Sequence, residues 1–166
     1  MKVQYSGVER SIKSDISNLS MLLKLPGVLP KGIFIDKLLA NTESELRNEC
    51  DYTREAEMQE LYDKCLKSVM GEEYKKFAVP RVNKKLSNRH ILSSQLLKGI
   101  QVASLEKGDS PQALRDEVGR LILKLTFSEI FEMGIMQSDP NPSNFTYDLN
   151  RRRLNLFDFG ATHIYS

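Results

Sequence analysis

The chain has no tryptophan, two cysteines, two histidines and six prolines in 166 residues. Each shortage excludes something. Cys50 and Cys65 are too few for a disulfide framework and form no Cys-x-x-Cys pair, so a reducing compartment is the simpler assumption. His90 and His163 lie far apart and lack zinc-ligand spacing. No apolar run is long enough to cross a bilayer. Met1 to Tyr5 reads neither as a signal peptide nor as a transit peptide, so this chain is expected to carry no targeting sequence. A dominant charge is missing too. Against 24 Lys and Arg stand 22 Asp and Glu, a net charge of +2, and no basic stripe interleaves with aromatics, so nucleic acid is not an expected partner. The densest basic run, Arg151 to Arg153, reads as a solvated hairpin turn. Internal repeats and low-complexity tracts are absent as well.

What is present suits one globular domain: 40% hydrophobic and 28% charged residues. Lys2 to Tyr5 alternates like a strand. A helix is expected from Val8 to Leu25, with Ile12, Ile16, Leu19 and Leu23 on one face. Pro26-Gly27 and Pro30-Lys31-Gly32 form a connection. A long acidic helix follows from Ile35 to Val69, broken at most once, in which Asp51 and Glu55 share a face. On periodicity alone its acids read as a solvated surface. Gly71 to Lys76 reads as a loop, Phe77 to Val82 and His90 to Leu97 as strands, and Ser104 to Ser110 as a polar connection. Asp109 or Ser110 should cap a helix with Pro111 in its first turn. That helix runs to Met133, is apolar over more than one stripe and ends at Gly134.

The chemistry gathers after that helix. Phe145 to Asp148 and Leu154 to Phe157 read as the strands of a β-hairpin. If Phe145 faces Phe157, then Asn144 and Asp158 flank the open end together, with Asp139 in the preceding loop. One amide and two carboxylates on one edge suit Mg²⁺, which takes few protein ligands and completes its shell with phosphate oxygens and water. Asp139 and Asn144 are spaced Asp-x-x-x-x-Asn, and Asp158-Phe159-Gly160 follows at hairpin distance. Protein kinases use this order of residues: a catalytic-loop Asp for the acceptor hydroxyl, then an Asn and an Asp for the metal. The bland alternative is a polar turn before an ordinary hairpin.

Four stretches resemble the UbiB (aarF-domain) family of atypical kinase-like proteins, and within it the mitochondrial coenzyme Q biosynthesis members. They are Lys2-Val3-Gln4-Tyr5-x-Gly7-Val8, Glu49-Cys50-Asp51-Tyr52-x-Arg54-Glu55-Ala56, Met136-Gln137-x-Asp139-Pro140-Asn141-x-x-Asn144-Phe145, and Asp158-Phe159-Gly160-Ala161-Thr162. They occur in family order over nearly the whole chain. The resemblance implies an α+β, protein-kinase-like fold, incomplete. Residues 1–97 would form part of the N-lobe sheet with helix C, and 98–166 the start of the mainly helical C-lobe through Asp-Phe-Gly. It implies ATP and Mg²⁺ as cofactors. Lys2 would reach the nucleotide phosphates and Asp139 would be the catalytic Asp. Asn144 and Asp158 would hold the metal. Glu55, with Glu49 as second choice, would partner Lys2. Glu49 and Asp51 would lie near the nucleotide, and Gln95 and Leu96 near the adenine. It further implies support of ubiquinone synthesis at the mitochondrial inner membrane, as a peripheral protein contacting coenzyme Q biosynthetic proteins or lipid.

The sequence departs from the family pattern in places. Ser6 stands where proline is usual, Pro142 where an aromatic is common, and Gln137-Ser138 precedes Asp139 in place of His-Arg. Met1 directly precedes the lysine, no Gly- or Ala-rich phosphate loop occurs, and the chain stops six residues after Gly160. The expectation is a core truncated at both ends, with the apolar face of Leu114 to Met133 partly uncovered. Two further readings stay open: a catalytically inactive nucleotide- or partner-binding module, and a small-molecule kinase of the aminoglycoside or choline type. The helix motif Glu49-Cys50-Asp51 speaks against the second.

Overall fold

A computed structural model describes residues 1–25, 34–105, 110–139 and 141–165. The connection expected at residues 26–32 lies outside the described residues, apart from the chain leading into it.

Up to residue 70 the described chain is helical after one short strand. Strand β1 (Lys2–Val3) leads through Gly7 into α1 (Val8–Leu23). Ile12 is buried, but Leu19 is exposed, so the expected stripe of α1 is only partly covered. The long acidic helix is broken once, into α2 (Ile35–Glu49) and α3 (Tyr52–Met70). Asp51 makes the break. It is the N-cap of α3, and its carboxylate accepts hydrogen bonds from the Thr53 and Arg54 backbone N–H groups. Asp51 and Glu55 therefore do not share a helix face: Asp51 sits before the first turn and turns its carboxylate to the backbone. The buried side of α3 carries Tyr52, Glu55, Ala56, Gln59, Tyr62, Leu66 and Met70, a stripe at helical spacing. Two of those seven are polar, which already marks this face as more than core.

Residues 71–76, expected as a loop, wind into a 3-10 helix. The two strands expected next are shorter than the sequence suggests. They are β2 (Phe77–Ala78) and β3 (Ile91–Leu92), with a single bridge between Val82 and Ser94. Pro80 cannot donate to a ladder, which stops β2. Strand β4 (Ile100–Gln101) forms where no element was expected, and the short helix α4 (Val102–Leu105) runs into the start of the expected polar connection. Helix α5 (Gln112–Ser128) takes Pro111 as its N-cap, and Ser110 does not cap it. Asp109 lies outside the described residues. The helix continues to Met133, as expected, but its last five residues, Glu129–Met133, widen into a π-turn. Gly134 then reverses the chain at φ 65°, in the left-handed region that glycine enters without strain.

After α5 come β5 (Ile135–Gln137), a 3-10 turn (Pro142–Asn144), β6 (Phe145–Asp148), β7 (Arg153–Leu156) and β8 (Thr162–Ile164). The hairpin forms with a shifted register. Phe145 pairs with Leu156 rather than Phe157, because Arg153 already enters the ladder opposite Asp148. Residues 149–152 make the turn, closed by Asp148, which accepts from the Asn150 and Arg151 N–H groups, and by Arg152 at φ 49°. The strands fall into three small sheets: β1–β3 antiparallel, β5–β8 antiparallel, and a four-stranded sheet in the order β2-β7-β6-β4, of which only β2–β7 is parallel. Gly99 enters this last sheet where no side chain fits: an added Cβ would lie 2.8 Å from Thr146 Oγ1 and 2.9 Å from the Tyr147 carbonyl oxygen.

One apolar core unites α3, α5 and the four-stranded sheet. At its centre lie Tyr62, Leu66, Phe77, Leu125, Tyr147, Leu154 and Phe159. Burial of each such side chain contributes roughly 1.5–3 kcal/mol. Helix α5 and the π-turn that ends it are partly uncovered, as the sequence suggests. Val118, Leu121 and Leu125 are buried, while Leu123, Phe127 and Phe131 face solvent.

Candidate functional site

The site is built by α3 and the segment after β7, brought onto one amino-terminal lysine. Lys2 Nζ lies 2.9 Å from each carboxylate oxygen of Glu55 and 3.2 Å from Asp158 Oδ1. It also stands over the Tyr52 ring, 5.1 Å from the centroid. Glu55 is 1% exposed, in the fourth helical position after the Asp51 cap. Its Oε1 also accepts from the Phe159 backbone N–H, at 3.4 Å. The choice left open between Glu55 and Glu49 thus resolves geometrically to Glu55. The break at Asp51 sets the phase of α3 independently of α2, and no reading of one continuous helix could supply that phase.

Burial pulls the Lys2 ammonium down, but the Glu55 and Asp158 carboxylates outweigh it and hold its pKa above the ordinary lysine value. Lys2 is therefore charged throughout the neutral range. Burial pushes the Glu55 carboxyl up, against the opposing pull of Lys2. Glu49 is pushed up by burial and then by the charge of Asp158.

Asp158 has a left-handed backbone, φ 60°, which is uncommon for a residue with a Cβ. Four contacts hold it there. Its Oδ1 accepts from Lys2 and from the Gly160 N–H, and its carbonyl accepts from Gln137 Nε2. The fourth is indirect: the Arg54 guanidinium donates to the carbonyls of Gly160 and Thr162, both at 2.9 Å. Arg54 adjoins Glu55 in the first turn of α3, so the same helical turn fixes both the lysine and the chain just beyond Asp158. The sequence reading assigned Arg54 no such part. An arginine beside a helix-start glutamate has no signature of its own, and its partners are backbone carbonyls more than a hundred residues away.

Asp139 and Asn144 form the other half. Asn144 Nδ2 donates to Asp139 Oδ2 at 2.8 Å, and Asn144 is buried. The Phe157 N–H donates to the Asn144 carbonyl, which brings the Asn144 backbone beside the residue before Asp158. Asn144 and Asp158 thus flank the hairpin end as expected, although the shifted register sets Asp158 one position further out.

Of the clefts that open on these residues, two are lined by Lys2. One, of about 450 Å³, is lined by Lys2, Glu49, Asp139 and Asp158, together with residues of β1 and α1. The other, of about 290 Å³, is lined by Lys2, Glu55, Pro80, Gln95, Leu96 and Asp158. Gln95 and Leu96 therefore share a cleft with the lysine. Asp51 does not line either cleft; its oxygen is committed to the helix cap.

The donor set fits a hard cation. Among the described residues no group of three or more His, Cys, Asp or Glu side chains is arranged to hold a metal. An ion here would therefore draw on Asp158 Oδ2 and the Asn144 amide oxygen, neither of which takes a hydrogen bond among the described residues, and on oxygens from a ligand. That is the habit of Mg²⁺ with phosphates.

The whole chain, residues 1–166, matches the ABC1 atypical kinase-like domain. It is similar to the mitochondrial atypical kinase COQ8 of Schizosaccharomyces pombe, 41% identical over 162 residues, which is 98% of this chain and 25% of that protein. It is likewise similar to the mitochondrial atypical kinase COQ8B of Danio rerio, 41% identical over 165 residues, 99% of this chain and 25% of that protein. The chain thus spans about a quarter of the length of these relatives. The solved structure of Rv3197 with erythromycin from Mycobacterium tuberculosis shares its fold, with a TM-score of 0.77 at 24% identity over 98% of this chain and 39% of that one.

Proposed function

Since the chain belongs to the ABC1 atypical kinase-like family, we propose that its α+β, kinase-like fold binds Mg²⁺-ATP and serves phosphoryl transfer or ATP hydrolysis. The observation that carries this reading is Lys2, whose ammonium touches Glu55 and Asp158 at once. A lysine anchored by a buried glutamate beside a cation-binding carboxylate is suited to phosphate oxygens and the metal that bridges them.

In this reading Lys2 meets the nucleotide phosphates and Glu55 holds it in place. Asp158 and Asn144 hold Mg²⁺, which when bound neutralises charge on the transferring phosphoryl group. Asp139 takes the proton of the attacking hydroxyl or water, and the Asn144 amide orients the carboxylate that does so. Gln95 and Leu96 border the space for adenine. Glu49 adds negative charge beside Asp139 rather than pairing with Lys2. Catalysis here is positioning and electrostatics, with no covalent intermediate.

By likeness to the relatives named as mitochondrial atypical kinases, the protein is proposed to support ubiquinone synthesis at the mitochondrial inner membrane, in contact with coenzyme Q biosynthetic proteins or lipid. No helix among the described residues is long and apolar enough to cross a membrane.

One observation favours a non-catalytic nucleotide-binding module as a second reading. Asp158 Oδ1 is already occupied by Lys2, and a cation must compete with that ammonium. Thermal melts with and without Mg²⁺-ATP decide whether the site binds. A nucleotide specific for the folded chain stabilises it by about 2.7 kcal/mol at a hundredfold excess over its Kd. The expected rise in Tm requires Mg²⁺ and disappears in Asp158→Ala. A melt unmoved by Mg²⁺-ATP would sink both readings, and binding without Mg²⁺-dependent turnover would leave the module.

A further inference from the structure

We propose that the chain has a second anion site, sharing no lining residue with the two nucleotide clefts, that takes a phosphate-bearing polyanion. The site is a cleft of about 550 Å³ between the 3-10 turn 71–76, helix α5 and the β6–β7 turn. Lys75, Lys76, Arg120, Arg151 and Arg152 line it, with Glu117 as the only acid among its lining residues. The chain's net charge is only +2, so five cations in one cleft do not reflect general basicity.

The cations come from three separate elements, and three of them are held by carboxylates, of which Glu117 itself lines the cleft. Glu117 grips the Arg152 guanidinium with two contacts, at 2.6 and 3.1 Å. Asp148 holds Arg151 at 3.2 Å, and Glu73 holds Lys76 at 3.2 Å. Arg152 keeps a left-handed backbone, φ 49°, at a turn position where glycine or asparagine would be cheaper. Among the described residues Lys75 and Arg120 have no carboxylate partner. Like charges gathered this way repel, and an anion relieves that repulsion. A further feature points to the same chemistry. Ala113, in the first turn of the 17-residue helix α5, lines the cleft, so the positive end of that helix faces the same space. Arginines with planar donor pairs match phosphate oxygens, and the volume falls in the range of small-molecule sites. This inference does not rest on the nucleotide reading.

Two sources carry such phosphates, a free di- or polyphosphate and a phospholipid headgroup, and they can be told apart. Pyrophosphate is titrated calorimetrically into the whole chain without divalent metal, in a Lys2→Gln background that removes the lysine assigned to the nucleotide phosphates. In parallel the chain is sedimented with phosphatidylcholine vesicles with and without phosphatidic acid. The expected result is binding in one arm that weakens at least about tenfold in Lys75→Gln with Arg120→Gln, as the loss of two charge-assisted contacts requires. Both positions lie outside the core, and an unchanged Tm confirms that the variant folds. Pyrophosphate binding identifies a soluble phosphate. Binding only to the phosphatidic acid vesicles identifies a headgroup. If neither ligand binds, or if binding survives in the double variant, the proposal is overturned.

Discussion

Glu129 shows how much one buried group can set. It opens the π-turn at the end of α5 and is 5% exposed. Its Oε1 accepts from the Tyr62 hydroxyl at 2.6 Å and from the Gln137 N–H at 3.2 Å. Tyr62 in turn packs against Phe159, with ring centroids 5.2 Å apart, and Gln137 holds the Asp158 carbonyl. The carboxyl thus supports the chain around Asp158 from beneath. Burial raises its pKa, while the bonds from Tyr62 and Gln137 pull the other way and lose. A raised folded pKa means that the protonated form favours the fold. That contribution is whole below the ordinary glutamate range and is lost as pH rises through the folded value. Glu129→Gln keeps an amide oxygen for both donors and never ionises. The Tm of Glu129→Gln relative to the parent should therefore rise from acid towards neutral pH. A difference that stays constant with pH would show that the folded carboxyl titrates where the unfolded one does.

At the scale of elements, the first turn of α3 organises the site. Asp51 caps it, Arg54 ties down the chain after Asp158, and Glu55 holds Lys2. Loss of an N-cap carboxylate costs about 1 kcal/mol. Asp51→Ala should lower stability by about that much and weaken Mg²⁺-nucleotide binding besides, because it loosens Arg54 and Glu55 together. Asp51→Asn, which can still accept from the Thr53 N–H, should restore both; failure to restore binding would mean that the Asp51 charge itself reaches the ligand. The same turn shows what could be read from residues alone. The existence of the helices and of the hairpin was legible in apolar periodicity and turn residues, and Asp139, Asn144 and Asp158 in their spacing, whereas Lys2 joined them only through the family resemblance. The hairpin register was not, since it depends on the left-handed Arg152 and the Asp148 turn bonds. The short strand β4 also escaped: its only ladder partner, β6, lies over forty residues away, and Ile100-Gln101 has no pattern of its own. The face that Asp51 and Glu55 were expected to share does not form, because the break in the helix falls at Asp51 itself, and a cap at such a junction looks like any other acidic residue.

At the scale of the molecule, the site exists only when distant parts meet. Lys2 reaches Asp158 across 156 positions, and the four-stranded sheet joins β2 before the 97/98 boundary to β4, β6 and β7 after it. The fold thus couples site geometry to global stability, and the conspicuous threat to that stability in solution is the outer side of α5. Leu123, Phe127 and Phe131 recur there at helical spacing, 58%, 53% and 75% exposed. Phe127 and Phe131 stack on each other with centroids 6.1 Å apart. An apolar patch of this kind drives association rather than folding. Replacing both phenylalanines by glutamine should cost less than about 1.5 kcal/mol, the upper value of one aromatic pair, because neither ring is buried. It should also reduce concentration-dependent association, read by sedimentation or light scattering. If the double variant fails to fold, the two rings belong to the core; if association is unchanged, the contact surface lies elsewhere on the chain.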